Sequence, residues 1–560
     1  MKKKVASKVL VGALASAMVF SMAACGNDDN NPSGSNPSGS STPNVTNAPN
    51  TPSETPKPAP MKVSFAVPSD EEHLEANEWY DKLVNGINEY TNMDVEWQWM
   101  ETGSYYEQLN EKVKAGNVAD IVIGPTDPLN GDTTVLSAAK EGLFWDLAPY
   151  INDYDNLAAI PEATKKALST NGSLYFLPRC RDLGRLGFGY RQDWAEKLQL
   201  KISDPMTWQE FKDMLYAFTY NDPDGNGVND TQGLVLDQWY DAFKSIFAWF
   251  NVPDQWGLDE KGDLIHYTQT KAYKTALKEI RSLYEDGLIN DGSVEGIPVF
   301  TEIAAGKIRT DYASVGKVGV FIQVLDDVRK WELGGGGLRE QGFGTVEKPA
   351  VRLESAVDTG NGIHVKANKG GYNGTIMIST INIKTEDQLR RVLQFLNDLN
   401  DGEMIQLMDY GWEGKTYNID ENGYVNLWTK AEDGLEEAGV GSTKYRNGFN
   451  QTRTMITAPA NAQTITTAPP TEEIQKREDY LKAWNVDYAI PNLGSGYSAA
   501  TLEVGEITSA MNTIITEAEI AYIKGEIDEN GLDDALSRWL QAGGEQATKE
   551  MNELYHAAGN

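Results

Sequence analysis

Cysteine and histidine are nearly missing from this chain: 560 residues include two Cys and four His. The two cysteines, Cys25 and Cys180, permit one disulfide at most. The setting of Cys25, described below, gives it another role, so no disulfide is expected in the folded body. His73, His266, His364 and His556 are scattered without metal-ligand spacing, which argues against zinc chemistry. Positive charge is scarce too. Lys and Arg number 49 against 82 Asp and Glu, for a formal net charge of −33. Such a balance excludes a nucleic-acid partner, whose phosphates need a basic face, and disfavours peripheral binding to anionic lipid. After Phe20 no apolar run is long enough to span a bilayer. Neither a Ser nucleophile elbow nor a Cys–His pairing is present. With so many carboxylates, pairs suited to glycoside hydrolysis arise by chance, and none at a strand end stands out.

What is present begins at the N-terminus. Lys2, Lys3, Lys4 and Lys8 form a basic start, Val9 to Phe20 is a short apolar run, and Ala23 and Ala24 precede Cys25. This is the pattern of a secretory signal, expected to occupy residues 1–24. Ser21-Met22-Ala23-Ala24-Cys25-Gly26 resembles the lipobox of bacterial lipoproteins, with Met22 where Leu is usual. That resemblance implies cleavage before Cys25 and acylation of its sulfur, and more than one acyl chain gives stable anchoring. Residues 27–60 are almost entirely Asn, Asp, Pro, Ser, Gly and Thr. They lack apolar surface to offset the entropy of ordering, so residues 25–60 are expected to be a lipidated, disordered tether.

From Met61 onward strand and helix patterns alternate. Lys62–Val67 reads as a strand and Glu78–Tyr90 as a helix, with Trp79, Leu83, Ile87 and Tyr90 at helical spacing. Met93–Met100 alternates as a second strand, Tyr105–Ala115 is a second helix, and Ala119–Ile123 is a fully apolar strand of the buried parallel type. The β-α-β-α-β order predicts a doubly wound α/β sheet, whose ligands sit beyond the carboxyl ends of its strands. Those ends are Pro68-Ser69-Asp70 and Gly124-Pro125-Thr126-Asp127.

An ordered set of short motifs then becomes specific. It comprises Val118–Ile123, Glu141–Leu147, Gly189-Tyr190-Arg191-Gln192-Asp193-Trp194, Pro205–Phe211, Asp222–Gly227 and Tyr410–Tyr417. Together they resemble family 1 extracellular solute-binding proteins, in the large lipoprotein branch that includes alginate-binding proteins. The resemblance implies a periplasmic-binding-protein-like fold of type II: two α/β lobes, joined by hinge strands, with a ligand cleft between them. By the same resemblance residues 61–180 plus 375–440 form the N-terminal lobe and residues 181–374 plus 441–560 the C-terminal lobe. It implies a non-enzymatic, monomeric capture protein for an oligosaccharide, delivering to the transmembrane permease subunits of an ABC importer. The site expected for it is the outer face of the cell membrane, lipid-anchored, in a Gram-positive bacterium. Rival readings are a secreted carbohydrate-active hydrolase and a binding protein or sensor for another solute, such as a peptide.

Candidate site residues follow from pattern and resemblance together. Asp222, Asp224, Asn226, the Val228 carbonyl and Asp230 have the oxygen-donor order of a calcium loop, with Gly227 at the sharp turn. Gly233 stands where an EF-hand has its bidentate Glu, and Thr231 where the alginate-binding relatives place a carboxylate, so the expected structural calcium would lack one strong ligand. The alternative is an Asx-rich surface turn. For the sugar, Trp239 and Tyr240 follow the short strand Leu234–Leu236, where the maltodextrin-binding relatives place a stacking aromatic. Asp127 falls where relatives bind sugar hydroxyls, with a helix N-cap as its alternative. Trp412 lies in a Gly-bounded loop, and Trp256 and Tyr372 complete the aromatic candidates. Arg181, with Asp182 and Arg185, occupies the first crossover, as hinge ion pair or cleft-lining donor.

Overall fold

The computed structural model describes residues 58–69, 78–129, 133–236, 241–297, 299–300, 316–333, 337–345, 348–421, 423, 425–427, 449–455 and 472–559. Nine strands build its two main sheets: β1 Met61–Ser69, β2 Met93–Glu101, β3 Ile121–Gly124, β4 Leu177–Cys180, β5 Leu186–Arg191, β6 Gln232–Val235, β7 Val318–Val324, β8 Val351–Glu354 and β9 Tyr372–Ile378.

The first sheet has the order β2-β1-β3-β9-β4. The three N-terminal strands run parallel and β9 is antiparallel to both neighbours. Helices Glu78–Thr91 and Thr102–Lys114 make the crossovers, as the β-α-β-α-β pattern predicts. The wholly apolar β3 is buried at every residue because strands cover both its edges. The buried Asp120 beside this core is satisfied. Asp120 accepts from the Ser64 amide at 2.8 Å and from Asn382 Nδ2 at 2.9 Å.

Trp97 and Trp99 stack on each other at 5.8 Å, and Trp97 stacks on Phe65 at 5.3 Å. Phe449 meets both indoles edge-on at 4.9 Å. That contact moves the expected boundary at residue 440, since residues 449–455 are part of the first lobe. The Thr454 carbonyl accepts from the Cys180 amide, and buried Arg453 donates to both Asp409 oxygens at 3.0 Å. The boundary at 375 also shifts, because Tyr372 already pairs with Cys180 in the first sheet.

The second sheet has the order β8-β5-β7-β6, with β6 parallel to β7 and the other pairs antiparallel. Its core is separate, built on Phe188, Phe211, Phe218, Trp249, Ile280 and Ile322. The helix Trp208–Tyr220 starts at a capping box formed by Thr207 and Glu210. Mixed sheets flanked by helices, with two independent cores, make this a two-lobed α/β fold.

Two described crossovers join the lobes, residues 181–185 and 355–371. They are bonded to each other: the Arg181 amide donates to Gly371 O at 2.9 Å and the Asn368 amide to Leu183 O at 3.0 Å. A third passage lies between Met455 and Glu472. Among the described residues no helix is long and apolar enough to cross a membrane.

Candidate functional site

In the first sheet β3 and β4 run the same way and end on one edge, with Asp127 just beyond β3 and Arg181 just beyond β4. β9 lies between them and starts at that edge with Tyr372, paired to Cys180. In the second sheet Leu186, the first residue of β5, pairs with Val324, the last of β7. The crossover from Cys180 therefore enters the second lobe at the edge where β6 and β7 end. Carboxyl ends of both parallel sets thus adjoin the hinge, where a doubly wound sheet presents its ligand.

Tyr372 brings the two lobes' chemistry together. Its side chain is buried, and burial first, then the Asp127 and Asp254 carboxylates, push its phenol above the ordinary tyrosine range. Asp254 lies in the second lobe, in the turn after helix Asp241–Trp249. Its own carboxyl is raised by burial; Lys366 and Lys244 oppose the rise and Asp127 adds to it. Beside it opens a small cavity of about 50 Å³, lined among others by Lys244, Phe247, Asp254, Tyr267, Lys366 and Glu519. Its apolar wall and converging charged groups have the composition of a small-molecule site. Lys366 belongs to the second crossover, so the cavity adjoins the hinge.

Of the residues expected at the site, Asp127 and Tyr372 are within electrostatic reach of Asp254, and neither is among the residues that line the cavity. The helix-cap alternative for Asp127 does not apply, because the next helix starts at Thr133. Trp256 is a correction. It is buried in a small core beneath a hairpin, with His266 edge-on at 5.3 Å and Gly494 packed on its ring, so no face is left for a sugar. The site residue of that segment is Asp254, two positions earlier, and its signal was the tight turn Asn251–Gln255, both ends of which have positive φ. Trp412 is half-buried against the first lobe's core, at the end of helix Gly402–Tyr410. Trp239, Tyr240 and Cys25 lie outside the described residues.

The charged crossover resolves residue by residue. Arg185 is a hinge ion pair, donating to both Asp326 oxygens at 2.7 and 2.5 Å. Burial raises the Asp326 carboxyl, but the Arg185 bonds and charge prevail and hold it at about 2. Asp182 pairs with Lys482 at 3.1 Å. Arg181 has no carboxylate within ion-pair distance among the described residues. Its Nη1 donates to the Cys180 carbonyl at 3.1 Å.

The 222–230 loop closes on its own hydrogen bonds. Asp222 accepts from the amides of Gly225 and Gly227 at 2.9 and 3.0 Å. Asn226 Nδ2 donates to Asp224 and Asp230 at 2.8 and 2.9 Å, and Lys317 pairs with Asp230 at 3.0 Å. Among the described residues no group of three or more His, Cys, Asp or Glu is placed to hold a metal ion. The all-oxygen donor set nonetheless suits a hard cation.

A two-lobed α/β protein with a polar cavity at its hinge and strand ends belongs to the class that captures small solutes by closing. Residues 70–301 match the family described as bacterial extracellular solute-binding protein. It is 28% identical over 480 residues to lipoprotein LipO of Bacillus subtilis, an alignment spanning 85% of this chain and 89% of that protein. To the polygalacturonan/rhamnogalacturonan-binding protein YtcQ of the same organism it is 27% identical, again over 85% and 89%. In fold it resembles the Streptococcus pneumoniae ABC-transporter substrate-binding protein FusA, solved with kestose. The TM-score is 0.59 at 18% identity, covering 89% of this chain and 99% of that one. The fold is therefore the type II periplasmic-binding-protein-like one that the motifs implied.

Proposed function

We propose that this protein captures an oligosaccharide between its lobes and delivers it to the permease of an ABC importer, without chemical change. The observation that carries the reading is the cavity at the hinge, where Asp254, Lys244 and Tyr267 of the second lobe meet Lys366 of the second crossover. Carboxylates and ammonium groups at such a floor accept from and donate to sugar hydroxyls, and apolar Phe247 and Tyr267 offer faces to a ring. The relatives support the choice of ligand, being named for polygalacturonan and, in FusA, solved with kestose. We further propose that the mature chain is held outside the cell by acylated Cys25, with residues 27–60 as its tether.

One feature favours a rival. Asp127 and Asp254 are two carboxyl groups within electrostatic reach, one of them raised, and glycosidases use such pairs. Calorimetry on a panel of glycans, followed by product analysis after long incubation, separates the two. The expected result is saturable binding with the glycan recovered intact, and weaker binding in Asp254→Ala. Released sugar sinks the transport reading.

Calcium at the 222–230 loop is proposed as a structural ligand, held by Asp222, Asp224, Asp230, the Val228 carbonyl and Asn226 after its amide rotates. Lys317 must then leave Asp230, so Lys317→Met should bind calcium more tightly than the native chain. Calcium at about a hundred times its Kd should add about 2.7 kcal/mol of stability. A melting temperature unmoved by chelator in both proteins removes the proposal.

A further inference from the structure

Between Ile490 and helix Gly505–Ile523 the chain runs from the hinge along the second lobe. We infer that this segment is a strap, and that its bonds to the first lobe latch the two lobes at one angle. It starts at the second crossover, where Ala489 and Ile490 pair with Val365 and Lys366. It is fastened to the second lobe along its length. The Leu493 amide donates to Trp256 O at 3.0 Å, and Leu493, Tyr497 and Ala499 pack with Trp256, Leu264 and Met551. Thr501 donates to the Glu550 carboxylate through its amide at 2.8 Å and its hydroxyl at 3.0 Å. The same strap reaches the first lobe at two points. At one, the Asn171 amide donates to Gly496 O at 3.1 Å and the Ser498 amide to Asn171 Oδ1 at 3.4 Å. At the other, Lys140, the last residue of helix Thr133–Lys140, pairs with Glu503. The Ser498 hydroxyl also donates to Glu503, at 2.7 Å, so Ser498 ties the two points together.

Neither point involves a crossover. The two crossovers are bonded to each other, Arg181 to Gly371 and Asn368 to Leu183, which makes them the axis about which the lobes turn. Rotation about that axis moves Asn171 and Lys140 of one lobe past Gly496, Ser498 and Glu503 of the other, so the strap's bonds hold at one lobe angle and shear at others. The angle they hold is one at which the lobes approach, since Asp254 of the second lobe lies within electrostatic reach of Asp127 of the first. Their chemistry suits a latch. The Lys140 and Glu503 side chains keep 29% and 20% of their exposure, so water replaces the pair at small cost when the lobes part. An ion pair of that kind shifts a two-state equilibrium by at most about fivefold, enough to bias closure and too little to prevent opening. Asn171 holds φ at +51°, a conformation Asn tolerates, and this presents its amide and its side chain to the strap together.

The test is solution scattering from the purified full chain without ligand, so its failure is separable from failure of the capture reading. The native chain is compared with Lys140→Glu, with Glu503→Lys, with the double reversal that carries both, and with Asn171→Gly, which keeps the left-handed backbone and removes Oδ1. Each single variant should lower the population at the latched angle by up to about fivefold, read as a larger radius of gyration. The double reversal should restore the native radius, because the opposite charges meet again. Circular dichroism of native strength shows that the lobes themselves are intact. A native radius in every single variant overturns the latch. Expansion that persists in the double reversal overturns it as well, since the loss then lies elsewhere than in the pair. Unfolding of either charge variant makes the pair a part of the fold's stability and likewise overturns it.

Discussion

His266 is buried with its ring stacked on Trp539 at 4.5 Å, and its Nδ1 lies 2.9 Å from the Thr268 hydroxyl. Burial presses its pKa down to about 3, so the imidazole is neutral in the native fold. The unfolded chain takes up a proton near pH 6.5, the folded one only near 3. Stability from this residue is therefore complete above pH 6.5 and falls as pH drops toward 3. Between pH 7.5 and 5 the loss should be about 2 kcal/mol, read from urea midpoints, and His266→Gln should flatten it. A slope identical in the variant assigns the acid sensitivity elsewhere. At this scale the sequence was least readable. Aromatic content marked Trp256 as a sugar platform, but stacking needs an exposed face, and which indole keeps one depends on neighbours such as Gly494, hundreds of residues away. The position of Asp127 just beyond β3 was legible because the strand's apolar run ends shortly before it.

Among the elements, the first crossover is the most constrained. Gly184 passes so close to helix Glu472–Tyr488 that a Cβ would lie 2.1 Å from the Lys482 carbonyl oxygen. Asn485 Nδ2 donates to Gly184 O at 2.8 Å and to Leu186 O at 2.7 Å, clamping the segment on that helix. Gly184→Ala must push the helix and crossover apart, costing about 1–3 kcal/mol. Since the crossover also sets the lobe angle, ligand affinity should fall along with the melting temperature. An alanine variant that melts and binds as the native chain does would show that the helix yields freely. The first five elements, from Met61 to Gly124, were legible to within three residues, because period-two and period-3.6 patterns need no knowledge of partners. The boundary near 440 was not, because Phe449 joins the first lobe through Trp97 and Trp99, a contact that periodicity does not encode.

Two separate cores joined by short crossovers are the arrangement that lobe closure on a ligand requires, so under the proposed function ligand binding should register on both. At a hundred times Kd, an oligosaccharide should stabilise the protein by about 2.7 kcal/mol, or roughly 2–3 °C for a fold of this size. The radius of gyration in solution scattering should fall at the same time. Stabilisation without contraction would locate binding on one lobe alone and count against closure.

The sequence by itself determined the α/β class, the resemblance to a solute-binding family, the expectation of export and the order of the first elements. These depend on local pattern, composition and ordered motifs, all of which lie along the chain. Its shortage of cysteine, histidine and positive charge argued against disulfides, zinc and nucleic acid without reference to the fold. Only the tertiary structure decided which partners Asp182 and Arg185 take, and that Asp254 and Lys366 rather than Trp256 stand at the hinge cavity. Pairing and burial are properties of distance in space, and Asp326 and Lys482, which neutralise two of the three charges, are more than a hundred residues from the crossover they serve.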